Sequence, residues 1–212
     1  NYLAVNPRDD VYLLAGDLNM NKSQESGFQQ LLNYSNSAVR FKDPENVLGN
    51  WNNNGTFAAW HTQSTRDGLT NDGCFSGGGL DDRLDHILVN STPLTPASRM
   101  RYVPGSLHPV GNDGLHFNSA INSGTNNSVP ATVLTALYEL SDHLPVVADF
   151  EVDLLFTRIH LHIQVFVEHA IAIPVVPGQS IIGAQCRADF VYFQEPAHNF
   201  VAGIDLQYTV GP

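Results

Sequence analysis

Acidic side chains stand at the ends of three short apolar runs, and one of them is followed by a histidine. Asp17 and Asn19 follow "VYLLA", Asp85 lies in "RLDHILVN", and Asp142 and His143 precede "LPVV". Packing does not require this pattern, because a carboxylate at a buried strand end is costly unless a cation or hydrogen bonds compensate. Carboxylates bind hard cations, and a carboxylate can fix the proton of an imidazole. These five residues are therefore the candidate site.

Each cluster also has an ordinary structural interpretation. "GDLN" is a common turn sequence, Asp85 could pair with Arg83, and Asp142 and His143 could cap a strand. His86 is expected to pack or to form a hydrogen bond rather than to bind a ligand. The occurrence of all three clusters in one chain favours a functional site over three separate structural ones.

The elements that would position these residues are strands and helices separated by long loops. Apolar runs predict strands at 11–15, 83–90 and 141–152. Helical spacing predicts a helix in 23–34, with Ser23 as a possible cap, and another in 129–140 that begins near Pro130. The predicted buried face of the second helix consists of Val133, Leu134, Leu137 and Tyr138. The loops at 42–79 and 91–127 are long enough to suggest that they serve a function.

Composition narrows the class of protein. The chain has 212 residues, 42% of them hydrophobic, and no apolar stretch approaches the roughly 20 residues of a membrane span. Its formal net charge of -11 argues against a non-catalytic nucleic-acid binder, because the summed field repels a polyanion. A metal enzyme is still compatible, since a site for divalent cations has to be acidic.

The compartment is indicated only indirectly. Cys74 and Cys186 permit one disulfide without requiring it. No signal-peptide pattern is present at residue 1, and the sequence therefore looks like a mature or truncated chain. Abundant Asn, scarce Lys and glycosylation sequons at Asn33 and Asn54 lead us to expect a secreted protein.

The three motifs "GDLN", "RLDHILV" and "SDHLPV", in this order, resemble the last three signature motifs of the endonuclease/exonuclease/phosphatase superfamily, which has the fold of pancreatic deoxyribonuclease. The resemblance covers about residues 1–152. The segments "HTQSTR", "GGGLDDRLDHILV" and "YVPGSLHPVGNDG" also resemble secreted bacterial members, especially those of Bacteroidetes.

The resemblance implies a role for each candidate residue. It gives Asp17 the task of orienting or deprotonating the attacking water and Asn19 that of holding a phosphate oxygen. Asp85 matches the acid that orients the catalytic imidazole, His143 matches that imidazole, as base or transition-state stabiliser, and Asp142 matches a metal-site carboxylate. The chemistry is consistent, because in-line attack on a phosphodiester needs an activated water, a hard cation and donors for developing charge. Mg²⁺, or Mn²⁺, is the expected cofactor.

One departure from the family pattern affects the functional expectation. Only about ten residues precede "VYLLAGDLN", whereas family members have an earlier half that supplies an Asn, a metal-binding Glu and a His or Tyr near the phosphate. We therefore expect the chain alone to be a poor catalyst, whether it is a fragment, is completed by another polypeptide or is inactive. The alternative to a phosphodiesterase is a non-catalytic structural or assembly protein built on half of this fold.

The expected fold is of the α/β (α+β) class, the C-terminal half of a four-layer α-β-β-α sandwich, in residues 1–152. Residues 153–212 lie outside the resemblance and are expected to form a β-rich appendage that packs on the rest or mediates self-assembly, because "HLHIQVFV", "CRADFVYFQ" and "AGIDLQYTV" alternate like strands. His160 and His162 could bind a metal, but a solvated strand face is the preferred interpretation.

Overall fold

The computed structural model describes residues 11–68, 75–153, 158–165 and 207–209. Within these ranges it contains two α-helices, α1 (Ser26–Leu32) and α2 (Ala131–Leu140), and seven strands. The strands are β1 (Leu13–Asp17), β2 (Asp85–Val89), β3 (Met100–Tyr102), β4 (His108–Pro109), β5 (Val146–Asp153), β6 (Arg158–Val165) and β7 (Gln207–Thr209). Short 3-10 helices lie at Ser37–Val39, Gly55–Trp60 and Thr92–Leu94.

The strands form two antiparallel sheets. β1 pairs with β2, and the second sheet has the order β3-β5-β6-β7, with β4 also pairing with β5. The chain is therefore of the predicted mixed α+β class. No helix among the described residues is long and apolar enough to cross a membrane.

The β1–β2 sheet is covered on both faces. Successive strand residues point to opposite faces, and both faces of this sheet carry apolar side chains. Ile87 and Val89 of β2 pack with the second sheet, in the core cluster that contains Val146, Ala148 and Phe150 of β5. On the opposite face, a second cluster joins the sheet to α1 and the following loop, and its buried members are Leu88, Phe28 and Trp51. Every residue of β2 is buried as a result.

Helix α2 does not pack on the β1–β2 sheet but against loop residues. Its buried Leu134 lies in a cluster with Leu80, Ile121 and Leu144. This packing ties the helix to the segment that follows it, since Leu144 comes four residues after the helix ends. Asp142 and His143 lie between these two fixed points.

Two details of the predicted helices are wrong. Ser23 does not cap α1, because the helix begins at Ser26 with Glu25 in the N-cap position. Ser23 is instead buried, and its N–H donates to the carbonyl of Gly49. Val133 does not belong to the buried face of α2, since 40% of it is exposed while Leu134 is buried. Helical spacing predicts which residues share a stripe but not how far around the helix the packing extends.

The second sheet continues past the predicted domain boundary at residue 152. β6 pairs with β5 over its whole length, from Val146 opposite Val165 to Asp153 opposite Arg158, and β7 pairs with β6. The predicted strand character of "HLHIQV" is therefore confirmed for the backbone, whereas the strand predicted in "CRADFVYFQ" lies outside the described residues. The division into two domains stays a prediction.

Gly79 is required by a close backbone approach, which leads to a first prediction. Its φ is +83°, and an added Cβ would lie 2.3 Å from the nitrogen of Ser119 and 2.4 Å from the carbonyl carbon of Asn118. We expect Gly79→Ala to lower the free energy of unfolding by more than about 3 kcal/mol, because left-handed strain and a backbone clash add. Urea denaturation measures the change.

The matched control for this prediction is Gly105→Ala. Gly105 has a similar φ of +80°, but an added Cβ would meet nothing within 4 Å. Only the conformational cost of about 1 to 2 kcal/mol is expected there. Equal losses for the two variants would mean that the approach of 118–119 to Gly79 is not as close as described.

Candidate functional site

Two of the candidate carboxylates lie at the same end of the β1–β2 sheet. Asp17 is the last residue of β1, Asp85 is the first of β2, and the register places them directly opposite each other. Like charges in this position destabilise a sheet unless something compensates, because their β-carbons are only about 5 Å apart. Asp85 is also almost completely buried, with 2% of its surface exposed. The two carboxylates at this end of the sheet therefore need a positively charged or proton-donating partner.

His143 supplies that partner. Its Nδ1 lies 2.8 Å from Oδ2 of Asp85, and both side chains are buried. The hydroxyl of Thr62 accepts hydrogen bonds from the backbone N–H groups of Leu84 and Asp85, at 3.1 and 3.2 Å, which holds the start of β2 in place. The predicted contact between Asp85 and a ring nitrogen of His143 is confirmed.

The loop that carries Asp142 and His143 is held by the segment 62–66. The N–H of Thr65 donates to the carbonyl of Asp142, and the N–H of Leu144 donates to the carbonyl of Thr62. The Thr65 hydroxyl donates to the carbonyl of Ser141 at 2.6 Å. These bonds on both sides of His143 leave its backbone little freedom, so the imidazole is held in one direction.

Arg66 joins this loop to the C-terminus of α2. Its guanidinium donates to the carbonyls of Tyr138 and Ser141 and lies over the ring of Phe75, 4.3 Å from the centroid. A cation at this end of a helix is favourable, because the last carbonyls have no partner within the helix and carry partial negative charge. The residue therefore fixes the start of the site loop.

Asp142 has one occupied and one free carboxylate oxygen. Its Oδ2 accepts from the N–H of Ser76 at 2.7 Å and from Nε2 of Gln63 at 3.1 Å. Its Oδ1 is buried and has no hydrogen-bond partner among the described residues, and the same holds for Oδ1 of Asp85. Such acceptors are costly, about 1 to 3 kcal/mol each, unless an ion or water satisfies them.

A carboxylate oxygen such as Oδ1 of Asp142 has the chemistry of a Mg²⁺ or Mn²⁺ ligand. It is a single ligand, however. In the part of the chain that the structure describes, no group of three or more His, Cys, Asp or Glu side chains could hold a metal ion. The described residues thus fit one ligand of the expected cation but do not form a complete site.

Gln63 connects Asp142 to His143 and was not singled out from the sequence. Its side-chain nitrogen lies 2.7 Å from Nε2 of His143 in addition to its contact with Asp142. A glutamine in a polar loop carries no recognisable chemical signal, and these contacts join residues about 80 positions apart. The segment "HTQSTR", which contains Gln63, is one of those that resemble secreted bacterial members, but that resemblance assigns no contact to Gln63.

The protonation of His143 is set by opposing effects. Burial lowers its pKa, but the hydrogen bond and charge of Asp85, with the charges of Asp142 and Asp17, outweigh burial and raise the pKa to about 9. The amide of Gln63, as it is oriented, donates to Nε2 and favours the neutral ring. One amide dipole is weaker than three carboxylates, so the net shift is upward. In the imidazolium state the amide must turn its oxygen to Nε2 and give up its hydrogen bond to Asp142.

This shift leads to a pH prediction. Because the pKa of His143 in the folded state, about 9, lies above the ordinary 6.5, the imidazolium stabilises the fold fully below pH 6.5. The contribution is lost as pH rises from 6.5 to 9. We expect it to amount to a few kcal/mol at most, since one pKa unit corresponds to about 1.4 kcal/mol. Urea denaturation at pH 6 and pH 9 measures it.

Asp85→Asn separates this effect from other titrations, because the amide has the shape of the carboxylate without its charge. The variant should lose less stability between pH 6 and pH 9 than the wild type does. His108→Gln is the control, since His108 is exposed and bonds only to the carbonyl of Ser106 among its described contacts. An unchanged pH dependence in Asp85→Asn would show that the pair does not hold a proton.

Asp17 and Asn19 differ in how closely they approach the imidazole. The charge of Asp17 is near enough to raise the pKa of His143. Asn19 is exposed, has a positive φ of 49°, and donates its backbone N–H to Oδ1 of Asp17 at 2.7 Å. This turn orients the Asp17 carboxylate. The role of the Asn19 side chain toward phosphate stays a prediction.

Neighbouring residues that might have belonged to the site are structural. Arg83 does not pair with Asp85 but forms a buried salt bridge with Asp43 at 2.7 Å. His86 is buried against the rings of Phe28 and Trp51, and burial holds its pKa well below the ordinary value. The packing expected for His86 is therefore confirmed.

A scan against protein-family models and searches of the curated proteins and of the solved structures found no match to this chain.

Proposed function

We propose that this chain carries part of the active site of a secreted, metal-dependent phosphodiesterase, with nucleic acid as the favoured substrate. The observation that supports this most is the buried contact between Asp85 and His143, at the end of the β1–β2 sheet where Asp17 also lies. A histidine oriented by a carboxylate beside a second carboxylate is an arrangement suited to moving protons and stabilising charge. Residues from three distant segments contribute to it.

The geometry suggests a division of labour between Asp17 and His143. The resemblance leaves open whether His143 acts as a base or stabilises the transition state. A pKa of about 9 keeps the ring protonated at neutral pH, which favours donation from Nε2 to a phosphoryl oxygen. Activation of the attacking water then falls to Asp17, a half-buried residue at the end of β1. Asp85 orients the ring, and Asn19 is proposed to hold a phosphate oxygen.

Asp142 is the proposed metal ligand. Its free Oδ1 would contribute one bond to Mg²⁺ or Mn²⁺, with other positions taken by water and substrate oxygens, as Mg²⁺ commonly requires. When bound, the cation would neutralise charge on the phosphoryl group. The hydrogen bond from the N–H of Ser76 keeps the carboxylate in one orientation with or without the ion.

We further propose that the two sheets belong to a four-layer α-β-β-α sandwich. The order of α1, the β1–β2 sheet and the β5-containing sheet, each packed on the next, is consistent with three such layers. Secretion is compatible with the sequon at Asn33, which is exposed just after α1.

The test is hydrolysis of bis-p-nitrophenyl phosphate, plasmid DNA and RNA by the purified chain at high protein concentration, with Mg²⁺ or Mn²⁺. We expect slow turnover that EDTA abolishes, because the described residues supply only one metal ligand. Absence of any metal-dependent hydrolysis, together with absence of diester binding, would overturn the proposal. It would favour the alternative of a non-catalytic assembly protein.

A further inference from the structure

The side chain of Gln63 is the described group that contacts both Asp142 and His143. Its nitrogen lies 3.1 Å from Oδ2 of Asp142 and 2.7 Å from Nε2 of His143. The backbone of Gln63 is fixed by hydrogen bonds with Asp81 and Asp82, at 2.9 to 3.1 Å. The main chain therefore stays in place while the half-buried side chain can change its hydrogen-bond partners.

The amide of Gln63 occupies the only ring nitrogen that a substrate could use. Nδ1 of His143 is taken by Asp85, so a phosphoryl oxygen can approach only Nε2. Gln63 already lies at hydrogen-bond distance from that atom. A ligand oxygen and the amide cannot both occupy this position, so binding requires the amide to move.

An amide is chemically suited to such an exchange. A Lys or Arg at this position would form an ion pair with Asp142 and stay there, because charge-assisted bonds are about twice as strong as neutral ones. A neutral amide has donors and an acceptor and can exchange partners at little cost. Donation of a side-chain N–H to an anionic phosphoryl oxygen would be a charge-assisted hydrogen bond.

We propose that Gln63 is a substrate-contacting residue: when a phosphodiester binds, its amide leaves Nε2 of His143 and donates an N–H to a non-bridging phosphoryl oxygen. The inference rests on the proposed function, since it takes the ligand at His143 to be a phosphodiester. It adds a donor that neither the motifs nor the resemblance assigns. No bond is broken and no proton is transferred in this step.

The experiment is an NMR titration of the ¹⁵N-labelled chain with diethyl phosphate in excess MgCl₂. Diethyl phosphate carries one negative charge and cannot be hydrolysed quickly. We expect the side-chain NH₂ signals of Gln63, assigned by their loss in Gln63→Met, to shift with the same saturation curve as the ring signals of His143. Gln63→Met should weaken diethyl phosphate binding about tenfold, the effect of one charge-assisted hydrogen bond.

Two further variants sharpen the test. Gln63→Glu has the same shape but no N–H donor and a negative charge, so it should bind diethyl phosphate more weakly than Gln63→Met. Gln30→Met, on the exposed side of α1, is the matched control and should bind like the wild type. The Nδ1–H signal of His143, hydrogen-bonded to Asp85, reports whether the site stays folded in each variant.

The outcomes distinguish this inference from the proposed function. If the His143 signals shift but those of Gln63 do not, and Gln63→Met binds normally, Gln63 does not contact substrate and the proposed function still stands. If Gln63→Met loses the His143 Nδ1–H signal, Gln63 is a structural residue and the inference is wrong. If diethyl phosphate shifts neither residue, the proposed function fails as well.

Discussion

His143→Gln is expected to lower the rate of phosphodiester hydrolysis by about 10²- to 10³-fold, the range typical of one lost donor to the charge that develops in the transition state. The imidazole is held by Asp85 through Nδ1, and in the proposed mechanism Nε2 is the atom that donates to substrate. The reason for glutamine rather than alanine is structural. His143→Ala would leave the Asp85 carboxylate buried without its partner, and a loss of stability would obscure the loss of rate.

The measurement is the metal-dependent rate of bis-p-nitrophenyl phosphate hydrolysis, compared at equal folded fraction. His108→Gln is the matched control, because it makes the same change at an exposed histidine on β4. Its rate should equal that of the wild type. If both variants lose activity equally, or if neither does, His143 is not the group on which the reaction depends.

Arg83→Met is expected to lower the free energy of unfolding by about 3 to 5 kcal/mol, the usual result of removing one partner of a buried ion pair. Arg83 and Asp43 lie 2.7 Å apart and are only 2% and 1% exposed. The guanidinium also donates to the carbonyl of Val47 and lies 5.4 Å from the ring centroids of Trp51 and Trp60. Methionine fills much of the space but leaves the Asp43 carboxylate buried and unpaired.

Urea denaturation of matched variants tests this expectation. Arg101→Met removes a guanidinium that pairs with Glu151 and Asp153 in a more exposed position, and it should change stability much less because solvent screens that pair. The double variant Asp43→Asn/Arg83→Met should recover part of the loss, since no buried charge remains. If the two single Arg variants are equally stable, the Arg83 pair is not buried as described.

Individual strands and helices could be predicted from the pattern of residues within one short segment. The apolar run in "RLDHILVN" predicts a strand, and β2 occupies Asp85–Val89. Pro130 before a helical stripe predicts the start of α2, which begins at Ala131. The errors at Ser23 and Val133 concern caps and the width of a buried face, which depend on neighbouring segments.

The types of the candidate site residues were also readable from the sequence. Acids beside apolar runs, one of them next to a histidine, are costly without a partner, so their presence indicates that partners exist. The meeting of Asp85 with His143 could be predicted only because known motifs relate the two. Their 2.8 Å contact is the feature of the site that the structure confirms.

Tertiary structure alone decided which groups complete the site and which are excluded from it. Gln63 reaches His143 across 80 positions, and Arg83 turns from its near neighbour Asp85 to Asp43, 40 positions away. A side chain's hydrogen-bond partner is chosen by the packing of several segments, each of which must first cover its own apolar face. The sequence therefore determined which side chains each segment buries and which polar residues need a partner. The packing of the segments determined which residues those partners are. The reason is that, with long loops, the separation of two residues along the chain says little about their distance in space.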